Sequence, residues 1–110
     1  MELIIEDRKL RKLCEDAKHA QKRLGDKVAR RLQNRLSDLA AADSLFDLPA
    51  TFHPHALKGD REGQFAIKID AANRIVFVAA DEPVPRDQSG AIHWPAVRKI
   101  RIVEIGDYHD

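Results

Sequence analysis

The stretch Gln64-Phe65-Ala66-Ile67-Lys68-Ile69-Asp70-Ala71-Ala72-Asn73-Arg74-Ile75-Val76-Phe77-Val78-Ala79 decides the fold. Phe65, Ile67 and Ile69 alternate with Gln64, Ala66 and Lys68, the period of a strand that buries one face. Residues 70–73 include an Asp and an Asn, which turn a chain readily, and residues 74–79 return as a second strand. Ile75 and Phe77 fall on one face of that strand, with Arg74, Val76 and Val78 on the other. The reading is an antiparallel hairpin with Arg74 at the start of a central strand.

Upstream, Leu3, Ile4 and Ile5 make a short β-prone run before Asp7, whose carboxylate can cap a helix by accepting from its free first-turn amides. Leu10, Leu13, Cys14, Ala17, Ala20 and Leu24 then recur at spacings of three and four. That pattern predicts one helix with a single apolar stripe and puts Cys14 in the core. Gly25 ends the helix and Asp26 opens the next, whose stripe is Val28, Leu32, Leu36 and Leu39 and which stops near Asp43. The two helices form a hairpin. Pro49 and Pro54 interrupt the aperiodic residues 50–57, which read as a connecting loop.

Downstream, residues 81–95 hold Pro83, Pro85, Pro95 and Gly90, so they form a long excursion, with Trp94 available to pin it down. Residues 97–105 are a strong β run. The whole is an α+β layout: an N-terminal strand, a two-helix hairpin, then a mainly antiparallel sheet with the helices on one face. The other face is left for function.

With 110 residues and 44% hydrophobic content the chain supports one core, so a single domain over residues 1–110 is expected. No apolar run reaches the ~20 residues a membrane helix requires, and Met1-Glu2-Leu3-Ile4-Ile5-Glu6 is too short and too acidic for a signal peptide. A cytoplasmic location without a membrane partner is the expectation. The lone Cys14 cannot close an internal disulfide or build a zinc site by itself. A formal net charge of +1 excludes binding of nucleic acid through bulk charge, so any RNA contact is local. Cations do crowd the first third of the chain, Arg8, Lys12, Arg23 and Arg31 among them. They make either a solvated helical face or a ribosome-docking surface.

Three strings stand in order: Leu57-Lys58-Gly59-Asp60-Arg61-Glu62-Gly63-Gln64-Phe65-Ala66-Ile67, then Asn73-Arg74-Ile75-Val76-Phe77, then Asp107-Tyr108-His109. Together they resemble the HigB or "killer protein" branch of the RelE-type toxins, over nearly the whole chain. The helical strings Arg11-Lys12-Leu13-Cys14 and Leu36-Ser37-Asp38-Leu39 match as well. The resemblance implies the toxin of a type II toxin–antitoxin system that cleaves mRNA in the A site of the 70S ribosome without a metal or cofactor. It also implies a helix-turn-helix antitoxin of the HigA kind encoded beside it, with operator DNA contacted only through that antitoxin. Three features depart from the family pattern: the long segment 81–95, Asn73 where members often carry an aromatic, and Phe65 in place of a frequent tryptophan.

The chemistry has its own logic. RNA carries a nucleophile in each 2′-hydroxyl, so the protein need only move protons and hold the charge that grows on the phosphoryl oxygens. His109, with an unperturbed pKa of ~6.5, is the candidate general acid or base. Tyr108, with a reference pKa of ~10, either orients the nucleophile or stacks on a base. Arg74 offers a planar, permanently charged fork to phosphate. Lys58 and Arg61, on a loop flanked by Gly59 and Gly63, can come close to the same phosphate, and the resemblance favours Lys58. Asp107 occupies the acidic position before Tyr108-His109 and is suited to orient His109 or an incoming base. Lys68, Lys99 and Arg101 are secondary candidates for RNA backbone contacts.

Plainer readings exist for each group. A Tyr-His near a chain end is often only solvated, and Lys58-Gly59-Asp60-Arg61 is also a polar turn. Arg74 is also a strand-end partner for Asp70 or Glu104. Lys99 and Arg101 alternate with Ile100 and Ile102 as a half-exposed strand requires. His53, His55, His93 and His109 suggest a metal site, but no Cys or carboxylate stands at useful spacing, so no metal is expected. The alternative function is a non-enzymatic regulatory module that binds an antitoxin-like helix-turn-helix partner.

Overall fold

A computed structural model describes residues 1–107. Strand β1 (Glu2–Ile4) leads into helices α1 (Arg8–Glu15), α2 (Ala17–Leu24) and α3 (Asp26–Ala41). Strands β2 (His55–Ala56), β3 (Gln64–Lys68), β4 (Asn73–Ala79) and β5 (Lys99–Asp107) follow, with two short 3-10 turns before β2 and two more between the strands. The five strands order as β1-β5-β4-β3-β2. Pairing is antiparallel except that β1 runs parallel to β5. The α+β layout read from the sequence is therefore present, and the central hairpin is β3–β4.

The helical half differs from the expected two-helix hairpin. The first helix is two helices, because Asp16 takes an extended conformation (φ −110°, ψ 102°) and its carboxylate accepts the His19 amide at 3.0 Å. A side chain that caps a fresh N-terminus competes with helix continuation. Gln33 on α3 holds the break by donating from Nε2 to the Cys14 carbonyl at 2.7 Å. Cys14 is buried as expected, and burial, with Glu15 adding to it, pushes its thiol up to about 11.

The loop expected over residues 50–57 holds a 3-10 turn, Ala50–Phe52, and the edge strand β2, which pairs with Phe65 and Ala66. Two residues leave no periodicity to read. In residues 81–95 a bridge joins Arg86 to Ile92, and Asp87 Oδ1 accepts from the amides of Ser89 and Ala91. Trp94 anchors the segment with its ring 4.8 Å from that of Phe65.

Leu32 and Leu39 of α3 pack with Phe65, Ile67, Ile75, Phe77, Ile100 and Ile102 in one apolar cluster. Arg74 and Val76 alternate with Ile75 and Phe77 and so face away from the helices, and Glu104, opposite Val76, shares their face. A β-bulge sets that arrangement, since Phe77 lies opposite Ile102 whereas Val76 lies opposite Glu104, leaving Val103 as the extra residue. Strict alternation from Ile100 and Ile102 would have sent Glu104 into the core. The bulge turns it to the face that carries Arg74 and returns Ile105 to the core side, opposite Ile75. No helix among the described residues is long and apolar enough to cross a membrane.

Candidate active site

Arg74 sits on β4 opposite Gly106 and Lys68, with only 4% of its surface exposed. A guanidinium cannot shed its charge, so burying one demands partners. Its Nη2 lies 3.6 Å from Glu104 Oε1. Arg61 reaches the same oxygen with Nη2 at 3.0 Å and donates from Nε to Gln64 Oε1 at 2.9 Å. The Lys58–Arg61 segment is brought over the sheet by the 3-10 turn Gly59–Arg61, which opens on the positive φ of Gly59 (65°) and is followed by that of Gly63 (92°).

These elements enclose a cleft of about 680 Å³ lined by Leu57, Lys58, Asp60, Arg61 and Arg74. A second recess of about 230 Å³ shares Arg74 and is lined also by His53, His55 and Lys68. The structure thus brings together four of the candidates from sequence: Lys58, Arg61, Arg74 and Lys68. Asp107 ends β5 opposite Asn73, one register step from Arg74, and is exposed. Tyr108 and His109 lie outside the described residues.

Lys99 and Arg101 do not line the cleft. Lys99 Nζ stands 3.8 Å from Glu2 Oε2 and Arg101 Nη1 3.4 Å from Glu6 Oε1, on the side of the sheet edge formed by β1. Surface pairs of this kind contribute little to stability, and their effect here is to turn both cations toward carboxylates rather than toward Arg74.

Of the two partners foreseen for Arg74, Glu104 is the one observed to pair with it. Asp70 instead closes the β3–β4 turn, accepting from the Ala72 and Asn73 amides at 2.9 and 2.8 Å and from Asn73 Nδ2 at 3.0 Å. Burial pulls the Asp70 carboxyl upward, but these hydrogen bonds and the charge of Arg31 outweigh it and hold the group below its ordinary range.

Sequence reasoning missed Gln64, the place of Glu104 between two arginines, and His55 beside Arg74. His55 Nδ1 contacts the His53 carbonyl at 2.8 Å, and the two rings lie 4.9 Å apart. Among the described residues no third His, Cys, Asp or Glu joins them in a metal-binding group. The period-2 pattern around Ile67 identifies Gln64 as a strand neighbour of the loop, whereas Glu104 depends on a bulge that no local pattern announces.

Chemically, three cations face two carboxylates around an open cleft, with two imidazoles in the adjoining recess. That set can bind an anionic phosphodiester and stabilise added charge on it.

No family model matches the chain, and no curated protein matches it. Solved structures do. YafQ from E. coli strain BL21(DE3) superposes with a TM-score of 0.61 at 17% identity, over 97% of this chain and 92% of that one. The YoeB/ParE toxin from Agrobacterium tumefaciens gives 0.58 at 15% identity, over 99% and 100%. The YoeB–YefM complex from Staphylococcus aureus gives 0.56 at 16% identity, over 100% and 98%. The chain therefore has the fold of the YoeB- and YafQ-type toxins.

Proposed function

We propose that this chain is the toxin of a type II toxin–antitoxin pair, close to the HigB branch, and that it cleaves translated mRNA in the ribosomal A site. The observation that carries this reading is the convergence of Lys58, Arg61 and Arg74 on one cleft of the helix-free sheet face, with β5 ending at Asp107 beside Arg74. The likeness to toxins of known fold supports it, as does the order of motifs in the sequence.

In the proposed reaction the 2′-oxygen attacks the adjacent phosphorus as its proton passes to a base. The bond from phosphorus to the 5′-oxygen breaks, and an acid protonates the departing oxygen. The products are a 2′,3′-cyclic phosphate and a 5′-hydroxyl. Arg74, with Lys58 and Arg61, takes up the charge on the phosphoryl oxygens. His109 acts as acid or base, Tyr108 orients the nucleophile or stacks on a base, and Asp107 orients His109. No metal or cofactor enters. The partner is a helix-turn-helix antitoxin resembling HigA, through which operator DNA is contacted, and the site of action is the cytoplasm.

Expression in bacteria tests the reading. Wild type should arrest growth, and His109→Ala or Arg74→Gln should each relieve the arrest while the protein still folds. Full toxicity in both variants overturns it. A second reading, a non-catalytic module that binds an antitoxin-like protein, draws on the Arg61–Glu104 pair, which engages a cleft cation with a carboxylate of the chain itself. It predicts uncut mRNA on purified ribosomes together with binding to a helix-turn-helix partner.

A further inference from the structure

Two guanidinium groups from separate elements reach one carboxylate oxygen. Arg61 Nη2 and Arg74 Nη2 stand 3.0 and 3.6 Å from Glu104 Oε1. The two cations are held firmly: the Arg74 side chain is only 5% exposed, and Arg61 is braced through Nε by Gln64. Glu104 is the looser member. Its side chain is 40% exposed and springs from the strand next to the bulge.

The geometry points to an oxyanion subsite at the Glu104 Oε1 position, one that takes a non-bridging phosphoryl oxygen of RNA and that Glu104 occupies until RNA displaces it. The inference rests on the RNA reading above and adds to it the place of the phosphate and the identity of the competitor. A carboxylate and a phosphodiester each carry one negative charge and present oxygen acceptors that match an arginine fork, so exchange leaves the local charge balance unchanged. The displaced Glu104 moves into water that already reaches its side chain, and the hydration it regains offsets part of the loss of its two arginine contacts. Glu104 is tethered at a high effective concentration, so an isolated anion displaces it poorly. A polyanion that also engages Lys58 has the extra contact required. The subsite would thus favour extended RNA over free phosphate.

The test is binding of an oligonucleotide with 2′-deoxy substitution at the cleavage position, which cannot react, to wild type, Glu104→Gln, Arg61→Gln and Lys58→Ala at fixed salt. Removing a like charge about 4 Å from the phosphate corresponds to roughly fivefold in affinity even at the dielectric of water. Glu104→Gln should therefore bind at least about fivefold tighter than wild type, and should bind inorganic sulfate where wild type does not. Arg61→Gln and Lys58→Ala should bind more weakly. Equal or weaker binding by Glu104→Gln, with both cation variants still weakened, overturns the subsite but leaves the RNA reading standing. Unchanged binding by both cation variants, or no binding by any chain, removes both. Should Glu104→Gln fail to fold, Glu104→Asp replaces it, since the shorter side chain withdraws the carboxylate from Arg61. The same sign is expected, and equal or weaker binding by that variant overturns the subsite.

Discussion

Arg74 and Glu104 meet diagonally across β4 and β5, with Nη2 and Oε1 3.6 Å apart, because a bulge between Val76 and Phe77 turns Glu104 onto the face of the sheet that carries Arg74. Diagonal neighbours on one face of an antiparallel pair lie within reach of long side chains, and a single-residue change of register would have separated these two. The ion pair is thus a product of the bulge. It compensates a nearly buried guanidinium while leaving that guanidinium at the edge of the cleft.

Replacement of Arg74 should separate catalysis from folding. Losing one preorganised charge stabiliser typically costs about 10²- to 10³-fold in rate. Arg74→Gln should show that loss in cleavage of ribosome-bound mRNA, and Arg74→Lys, which keeps the charge but not the planar fork, an intermediate one. Thermal unfolding followed by circular dichroism checks that each variant is folded. Cleavage at the wild-type rate by folded Arg74→Gln would exclude the assigned role.

Lys58 makes a prediction about salt. If it neutralises one phosphate of a single strand, Lys58→Ala should reduce the slope of log affinity against log salt by about 0.7. The slope is measured from titrations of an uncleavable oligonucleotide across a series of salt concentrations. An unchanged slope would place Lys58 away from the bound backbone.

The helix break at Asp16 predicts a stability effect. Asp16→Ala removes the acceptor for the His19 amide and should cost about 1 kcal/mol in urea unfolding, as loss of an N-cap commonly does. Gln33→Ala should act in the same direction through the Cys14 carbonyl. Unchanged midpoints in both would mean that the junction holds without these two bonds.

Much of this architecture was legible in the sequence. The alternation around Phe65 and Ile75 gave the hairpin, and the stripe through Val28, Leu32 and Leu39 gave α3. Asp16 escaped notice because Cys14, Ala17 and Ala20 keep helical spacing across it, so the apolar pattern runs on through a backbone break. Strand β2 escaped because its pairing with Phe65 and Ala66 is tertiary. In the candidate site, Lys58, Arg61 and Arg74 were found from residue type and local motif. The carboxylates that Lys99 and Arg101 meet were not legible, because they depend on the parallel pairing of β1 with β5, a contact between distant parts of the chain.

The β3–β4 turn should carry an acid-sensitive part of the stability. The Asp70 carboxyl is held below its ordinary value of about 3.9 in the folded chain. Its contribution is therefore complete above the unfolded value and is lost as pH falls through the lower, folded one. Asp70→Asn should remove that component, so that wild type and variant differ most near neutral pH and converge in acid. Urea unfolding at a series of pH values measures the difference. A gap that widens as pH falls would contradict the hydrogen-bonded carboxylate at this turn.

The most direct measurement is the mapping of RNA ends after brief induction of wild type, Arg74→Gln and His109→Ala. Wild type should generate new 5′-hydroxyl ends, matched by 2′,3′-cyclic phosphates, inside the coding regions of translated messages, and both variants should lack them. Growth arrest by wild type without new ends, or the same ends from both folded variants, would contradict RNA cleavage at this cleft.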